Sequence, residues 1–411
     1  MDEEKALLVT LHSPGEDERR ARLQADEARS LIETLGITIA GSLSLTVKKP
    51  NSTTYIGKGQ AETVREAILA YEATEVIFNA HLSPRQEGNL ERIAGVPVSD
   101  REAVIISIFF QNARSREARL QIEKAEAEYL KPRLADREAS FSQQRGGVRG
   151  AKGEGERQIE LDRRRINDRI KALDEEIKKV AARRVTQRKS RERNSIYSFA
   201  LVGYTNAGKS TILNTLTGAD ALAEDKLFAT LDTTTRALEL PNRQKVLLSD
   251  TVGFISDLPS SLVKAFSSTL EEALSANALI LVADASHPDA LGSLRETERT
   301  LEELGALDKA RILVINKIDD IYDDFSYQAL RYEGKYIVVE TSMKDGTGIE
   351  DLLFAMGSVT DDEYATVSRT MGYSELQNLR KDAAVITEEY LEDRVKVTFR
   401  IRKALLSKYG G

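Results

Sequence analysis

An eight-residue stretch, GYTNAGKS (Gly203 to Ser210), restricts the fold more than any other part of the chain. It fits the pattern G-x-x-x-x-G-K-[ST], follows the apolar run FALVG and opens the helical pattern STILNTLTG. Such a loop works only between a buried strand and a helix. Its backbone N–H groups must converge, with those of the first helical turn, on a chain of phosphates. The strand-like runs IYSFALVG, KVLLSD, ALILVAD, ARILVIN and KYIVVE alternate with helical patterns around it. They predict a doubly wound, mostly parallel sheet of about 165 residues.

The remaining motifs narrow the ligand. Gly203, Tyr204, Thr205, Asn206, Ala207, Gly208, Lys209, Ser210 and Thr211 are expected to wrap the phosphates. Lys209 should reach the β- and γ-phosphates and Ser210 should coordinate Mg2+. LFATLDTTTR supplies a first switch with Phe228, Ala229 and Thr230. Spacing favours Thr230 as second magnesium ligand, with Thr233 and Thr234 as neighbouring alternatives. DTVG places Asp250, Thr251, Val252 and Gly253 at a strand end, where Asp250 can hold magnesium through water. The Gly253 N–H can meet the γ-phosphate, so that hydrolysis releases the loop. In NKID, Asp319 can accept from two guanine donors that adenine lacks, Asn316 buttresses the loop, and the Lys317 stem packs along the base. A site built on such donors rejects the analogue lacking them by roughly 10⁴–10⁵. TSM (Thr341, Ser342, Met343) can offer an N–H to the guanine oxygen. Four motifs in this order, each at a strand end, imply GTP and GDP as ligands, with Lys209, Thr230 and Gly253 as the catalytic candidates.

One position departs from the commonest GTPase pattern. Many GTPases place a water-orienting glutamine after the switch glycine, whereas this chain has Phe254. Its expected role is apolar packing beneath the second switch, with the water positioned by other groups. The GxxNxGKS loop is similar to that of GTPases whose asparagine ligates potassium, which makes Asn206 a candidate K+ ligand that could offset developing charge.

The rest of the chain adds two more layers of organisation. Residues 1–110 alternate ALLVTL, EVIFNA and VPVSD with amphipathic helices, as in a small α/β domain. YIGKGQAE within it reads as a tight turn before a helix, or as a phosphate-facing helix start. Residues 111–194 carry two heptad-like seams: Ala118, Ile122, Ala125 and Tyr129, then Ile166, Ile170, Leu173, Ile177 and Val180. They predict an antiparallel helical hairpin, with Pro132 kinking or ending the first helix. Its tip, about 136–157, holds five glycines between Gly146 and Gly155 and reads as a connector or as a basic tip that orders on phosphates. This region has 24 Lys+Arg against 15 Asp+Glu inside a chain of net charge −7. That asymmetry points to nucleic acid or to a solvated helical face. The G domain is expected over 195–362, and residues 363–411 form a small α+β appendix in which AAVITEEYL and VKVTFRI pair as a hairpin.

Composition closes several routes. There are no cysteines and only His12, His81 and His287, so thiolate zinc sites and disulfides are excluded. No apolar run approaches the roughly 20 residues needed to span a bilayer, and the acidic start lacks the order of a signal peptide. A cytoplasmic, monomeric protein without membrane or DNA partners is expected.

Taken with IFNAHLSPRQEGNLER, GEGERQIELDRRRI, LFATLDTTTR and DTVGFISDLP, these motifs closely resemble the HflX family of GTPases from about residue 50 to 360. Thr233 and Glu154 stand where proline is usual or frequent in that family. The resemblance implies a GTPase that docks on the large ribosomal subunit, with some members splitting stalled ribosomes. Arg145, Arg149, Lys152 and Arg157 then become candidates for rRNA contacts. The alternative reading is an ATP-using RNA or ribosome remodeller acting through the N-terminal domain, although residues 1–194 hold no second P-loop. A membrane-signalling GTPase lacks a lipidation signal, since the chain ends KYGG.

Overall fold

The computed structural model describes residues 5–144, 152–193, 196–219, 227–257, 259, 262, 274–306, 308–361 and 363–409. Of 135–144, 152–159 and 183–193 it describes the backbone alone. The chain divides into two compact units, the first being Met1–Ala182 with two short later stretches and the second most of the remainder.

The first unit is built on an all-parallel sheet of order β2-β1-β3-β4, comprising β1 (Lys5–His12), β2 (Thr38–Thr46), β3 (Glu75–Phe78) and β4 (Val98–Asp100). Helices α1 (Glu18–Thr34), α2 (Lys58–Tyr71) and α3 (Pro84–Ala94) make the crossovers. Central strands β1 and β3 are apolar runs covered on both faces, with Leu7, Leu8, Val9, Val76, Ile77 and Phe78 buried. Edge strand β2 escapes the sequence reading. It intersperses Ile39, Leu43 and Leu45 with small and polar residues, and Ser42, Ser44 and Thr46 face solvent, so no continuous apolar run marks it. Helix α3 starts on a capping box: Ser83 accepts from the Gln86 N–H while Gln86 accepts from the Ser83 N–H, and Pro84 takes the first turn.

After α4 (Arg101–Asn112), the chain forms two long helices, α5 (Arg116–Gln144) and α6 (Lys152–Arg193). Arg116 pairs with Glu176 (2.9 Å), Lys124 with Asp174 (2.6 Å) and Glu123 with Arg169. Residue 116 of α5 meets 176 of α6, whereas 123 and 124 meet the earlier positions 169 and 174, the register of an antiparallel hairpin. Its seam buries Ala118, Ile122, Ala125 and Leu173. Of the two outcomes expected at Pro132, a kink or a stop, the stop does not occur, since Pro132 lies inside α5. The helices also continue into the segment expected as a connector or flexible tip, leaving only 145–151 outside the described residues. REASFSQQ before the glycine cluster contains no glycine or proline, so nothing in it opposes helix.

The root of α5 explains how the chain passes Pro132. Arg133 is buried and donates from Nε to Glu87 (2.7 Å) and from Nη2 to Asp100 and the Leu82 carbonyl (both 2.9 Å). Nη1 returns to the Tyr129 carbonyl at 3.1 Å. Its guanidinium lies over the Tyr129 ring at 3.3 Å, and the Tyr129 hydroxyl donates to Asp100 at 2.9 Å. This network clamps the proline-containing turn to α3 and β4. Burial pushes the Glu87 carboxyl above its ordinary range, against the pull of Arg133.

The second unit holds a six-stranded sheet of order β10-β9-β8-β5-β7-β6. Its strands are β5 (Tyr197–Gly203), β6 (Thr234–Glu239), β7 (Lys245–Asp250), β8 (Ala278–Asp284), β9 (Ala310–Asn316) and β10 (Ile337–Thr341). All neighbours are parallel except β6, which pairs antiparallel with β7. β6 was not legible as a strand, because TTRALE is polar and lies at an edge. Helices α7 (Lys209–Thr217), α8 (Ala290–Glu303), α9 (Asp324–Arg331) and α10 (Ile349–Thr360) follow their strands, and a core fills each face of the sheet. The expected C-terminal hairpin of β12 (Ala383–Tyr390) and β13 (Val395–Arg402) is present. An unforeseen β11 (Tyr364–Met371) pairs on the other side of β13, with α11 (Tyr373–Asp382) beside the sheet. Buried Arg400 donates to Gln244 (2.8 Å) and Thr360 (2.9 Å), which secures this sheet to the six-stranded layer.

Removing Arg133 would leave Asp100 and Glu87 without their cation in a buried site. Arg133→Ala should therefore cost about 3–5 kcal/mol, read as an earlier urea transition, and Glu87→Gln should cost less because burial already favours the neutral acid.

Candidate functional site

The phosphate loop leaves the carboxyl end of β5, where connections diverge to the two sides of the sheet, the usual place for a ligand in an open α/β fold. Gly208 holds φ 93°, and a Cβ there would lie 2.3 Å from the Asn316 amide, so only glycine fits. Asn206 also takes a left-handed conformation, φ 62°, with its residue exposed on the loop. Lys209 begins α7 fully within the loop. Its Nζ donates to the carbonyls of Gly203 (3.1 Å) and Tyr204 (2.7 Å). Burial lowers this amine to about 8, partly opposed by the Asp250 charge.

Three expected metal ligands come together. Ser210 Oγ donates to Asp250 Oδ2 at 2.6 Å and lies 2.7 Å from Thr230 Oγ1. Asp250 Oδ1 is buried without a hydrogen-bond partner, and desolvation raises the carboxyl above its ordinary range. A hard cation fits this donor set of two hydroxyls and an under-satisfied carboxylate. Of the alternatives to Thr230, Thr234 is an exposed residue of β6 and Thr233 precedes it.

The second switch is tied to the phosphate loop through backbone. Phe254 N donates to Gly203 O (3.0 Å) and Thr205 N to Phe254 O (2.7 Å). A Cβ on Gly253 would lie 2.7 Å from Thr205 Cα, so this approach requires glycine. The Phe254 ring is buried with Ala200, Val202, Leu279 and Leu281. It packs where a glutamine would have offered an amide. Thr251 reaches back to Leu201 O at 2.6 Å, and buried Val252 lies beside it. The sequence reading missed Ser256, which joins the switch to the Tyr204 hydroxyl by both its Oγ (2.6 Å) and its N–H (2.7 Å). No motif flags such a pair.

At the base-recognition end, buried Asn316 donates to Ala207 O (3.0 Å) and accepts from Thr341 (3.1 Å). Asp319 accepts from Ser342 Oγ at 2.8 Å, and this hydrogen bond holds its carboxyl below the usual range, ionised for guanine donors. Ser342 pairs with Thr347, and Met343 packs against the core. The Lys317 head group, on which the sequence reading was silent, pairs with Asp284 at 2.7 Å.

Other candidates have different surroundings or fall outside the described side chains. Phe228 and Ala229 group with the first unit. Phe228 meets Phe109 edge-on at 4.6 Å, and its carbonyl accepts from Asn112 at 2.9 Å. Its side chain is thus committed to packing rather than to the nucleotide. The helix start in YIGKGQAE is closed by its own Gln60, which accepts from the Gly57 N–H, so a plain turn accounts for it. Arg145 and Arg149 lie outside the described residues, and Lys152 and Arg157 have only their backbone described.

The depressed lysine gives a pH test. If Lys209 meets phosphate as expected, only its protonated form would bind it, so GDP affinity should be flat below pH 8 and weaken above it by up to about tenfold per pH unit. Lys209→Ala should bind more weakly and with a flat profile from pH 7 to 9, measured by titration of a fluorescent GDP analogue.

Comparison with known proteins identifies the family. Family profiles described as GTP-binding GTPase N-terminal, GTP-binding GTPase Middle Region and 50S ribosome-binding GTPase match residues 22–110, 112–191 and 198–317. GTPase HflX of Lacrimispora saccharolytica is 38% identical, covering 98% of this chain and 95% of that protein. GTPase HflX of Caldanaerobacter subterraneus subsp. tengcongensis is 41% identical, covering 96% and 90%. A GTP-binding protein from Sulfolobus solfataricus, solved with GDP, is 26% identical over 87% of this chain and 99% of that one, with a TM-score of 0.46. With a complete GTPase motif set and relatives of this identity along nearly its whole length, the chain belongs to the HflX family of GTPases and hydrolyses GTP.

Proposed function

We propose that this GTPase docks on the large ribosomal subunit in its GTP state and leaves after hydrolysis, acting there on stalled ribosomes. The observation carrying this reading is a complete GTP switch in the same chain as an antiparallel helical hairpin whose segment, 111–194, bears 24 basic against 15 acidic residues. The ribosome-binding description of the matched GTPase family supports it. In this reading the protein works in the cytoplasm as a monomer. Its segments 1–110 and 111–194 face the ribosome, 195–362 is the switch, and 363–411 is an accessory sheet.

The chemistry follows from the site. On GTP binding, the Lys209 ammonium exchanges two loop carbonyls for β- and γ-phosphate oxygens. Ser210, Thr230 and Asp250 would hold Mg2+, which neutralises charge on the phosphates when bound. The Gly253 N–H meets the γ-phosphate and loses that partner on hydrolysis, so the switch relaxes. Asp319, ionised and fixed by Ser342, accepts from the guanine ring N–H and exocyclic amine. Phe254 offers nothing to the attacking water. Turnover is therefore slow in the free protein, faster with K+ at Asn206, and faster again on the ribosome.

Two experiments test this. Co-sedimentation with separated large subunits should show retention with a non-hydrolysable GTP analogue and little with GDP. Neutralising Arg145, Arg149, Lys152 and Arg157 together should weaken retention and lower its salt slope by up to about four, one per phosphate contact. Unchanged retention across a salt series would remove the assignment of these residues. For the ion, GTP turnover should be faster in potassium than in sodium, and Asn206→Asp should alter that ratio. Identical ratios in the two proteins would exclude a potassium site at Asn206.

A further inference from the structure

The segment after the guanine-recognition loop has an unusual surface. DDIYDDF, residues 319–325, places four aspartates and three large apolar side chains in seven positions, and no lysine or arginine occurs from 318 to 330. Ile321, Tyr322 and Phe325 are 39%, 63% and 79% exposed, and Tyr332 is 81% exposed. Phe325 lies in the first turn of α9 and Tyr332 is the residue that caps its C-terminal end, seven positions on. Burial statistics send aromatics inside, and contiguous apolar exposure of this kind marks an interaction site.

The charges say what fits. The basic groups bordering the patch are already engaged: Lys317 with Asp284 (2.7 Å), Lys344 with Asp319 (3.5 Å), and Arg331 with Glu340 while also lying over Tyr327. Asp323 is spent capping α9 through Ser326. Exposed Asp320 and Asp324 have no cationic partner among the described residues. A phosphate backbone would be repelled from this surface. Guanidinium and ammonium groups would be drawn to the carboxylates and would stack on exposed aromatic faces.

We propose that the face formed by Asp320, Tyr322, Asp324, Phe325 and Tyr332 docks a lysine- and arginine-rich polypeptide segment of the large ribosomal subunit. This rests on the docking reading above and deepens it. The basic hairpin region takes RNA, and the acidic aromatic face of the GTPase unit takes protein. Asp319 keeps its separate role in the guanine site.

The test uses full-length protein carrying Phe325→p-benzoylphenylalanine, illuminated with purified large ribosomal subunits and a non-hydrolysable GTP analogue. A nuclease-resistant crosslink to a Lys/Arg-rich stretch of a ribosomal protein is expected. A crosslink to rRNA, to an acidic segment, within this chain or to a second copy of it, or no crosslink from a co-sedimenting complex, overturns the proposal. In parallel, Asp324→Asn combined with Tyr322→Ala and Phe325→Ala should weaken retention about tenfold. GTP turnover of the free variant should be unchanged. Retention equal to wild type sinks this proposal and leaves docking intact, whereas wild type that fails to sediment in either nucleotide state removes both.

Discussion

The second unit is organised around an ammonium and a carboxylate buried at the same strand ends without a direct ion pair between them. Lys209 is held by loop carbonyls, and Asp250 by the Ser210 hydroxyl with one oxygen left unpartnered. Burial works against the charged form of both. In a low-dielectric site such groups are expensive unless a ligand completes them. The fold provides that ligand's position by placing β7, β5, β8 and β9 in parallel in that order, so that the carboxyl ends of β5, β7 and β9 carry the phosphate loop, the second switch and the NKID loop along one edge of the sheet.

Asn316 is the polar tie across that rim. Its amide donates to the phosphate loop at Ala207 and accepts from Thr341, so three loops from β5, β9 and β10 share one buried side chain. The close approach at Gly208 is part of the same arrangement, since a methyl group there would displace the amide. Phosphate binding and base recognition are therefore held in a common frame. Phe254 sits within it as a packed ring whose backbone joins the second switch to the phosphate loop. The position that many GTPases use to orient water is used here to hold the switch against the sheet.

The first unit solves a different problem. A long charged hairpin has little core of its own, and it must leave a small parallel sheet in a defined direction. Arg133 meets that need by joining α5 to Glu87 of α3 and Asp100 at the end of β4. The arginine serves as an anchor next to a proline, where the helical ladder lacks a donor. Its planar fork reaches two carboxylates and two carbonyls together, which a lysine could not do with the same geometry.

The motif-bearing strands were legible because each is a buried apolar run ending in residues with one chemical use: GYTNAGKS after β5, DTVG after β7 and NKID after β9. The edge strands β2, β6 and β11 were not, since one exposed face allows Ser, Thr, Arg and Glu to replace the apolar signal. Spacing to a strand end singled out Ser210, Asp250, Asn316 and Asp319 as candidates, and the structure brings Ser210 to Asp250, Asn316 to the phosphate loop and Asp319 to Ser342. The side-chain partners could not be read from spacing: Ser256 with Tyr204, Lys317 with Asp284, Phe228 with Phe109, and Arg133 with its two acids lie 33 to 119 residues apart in pairs no local pattern encodes. The sequence by itself determined the nucleotide, the order of the motifs and the doubly wound layer, since local periodicity and turn chemistry dictate them. Only the tertiary structure decided which hydroxyls meet at Asp250, what Phe254 packs against and how α5 is anchored past Pro132, because those depend on which distant strand ends the sheet order brings together.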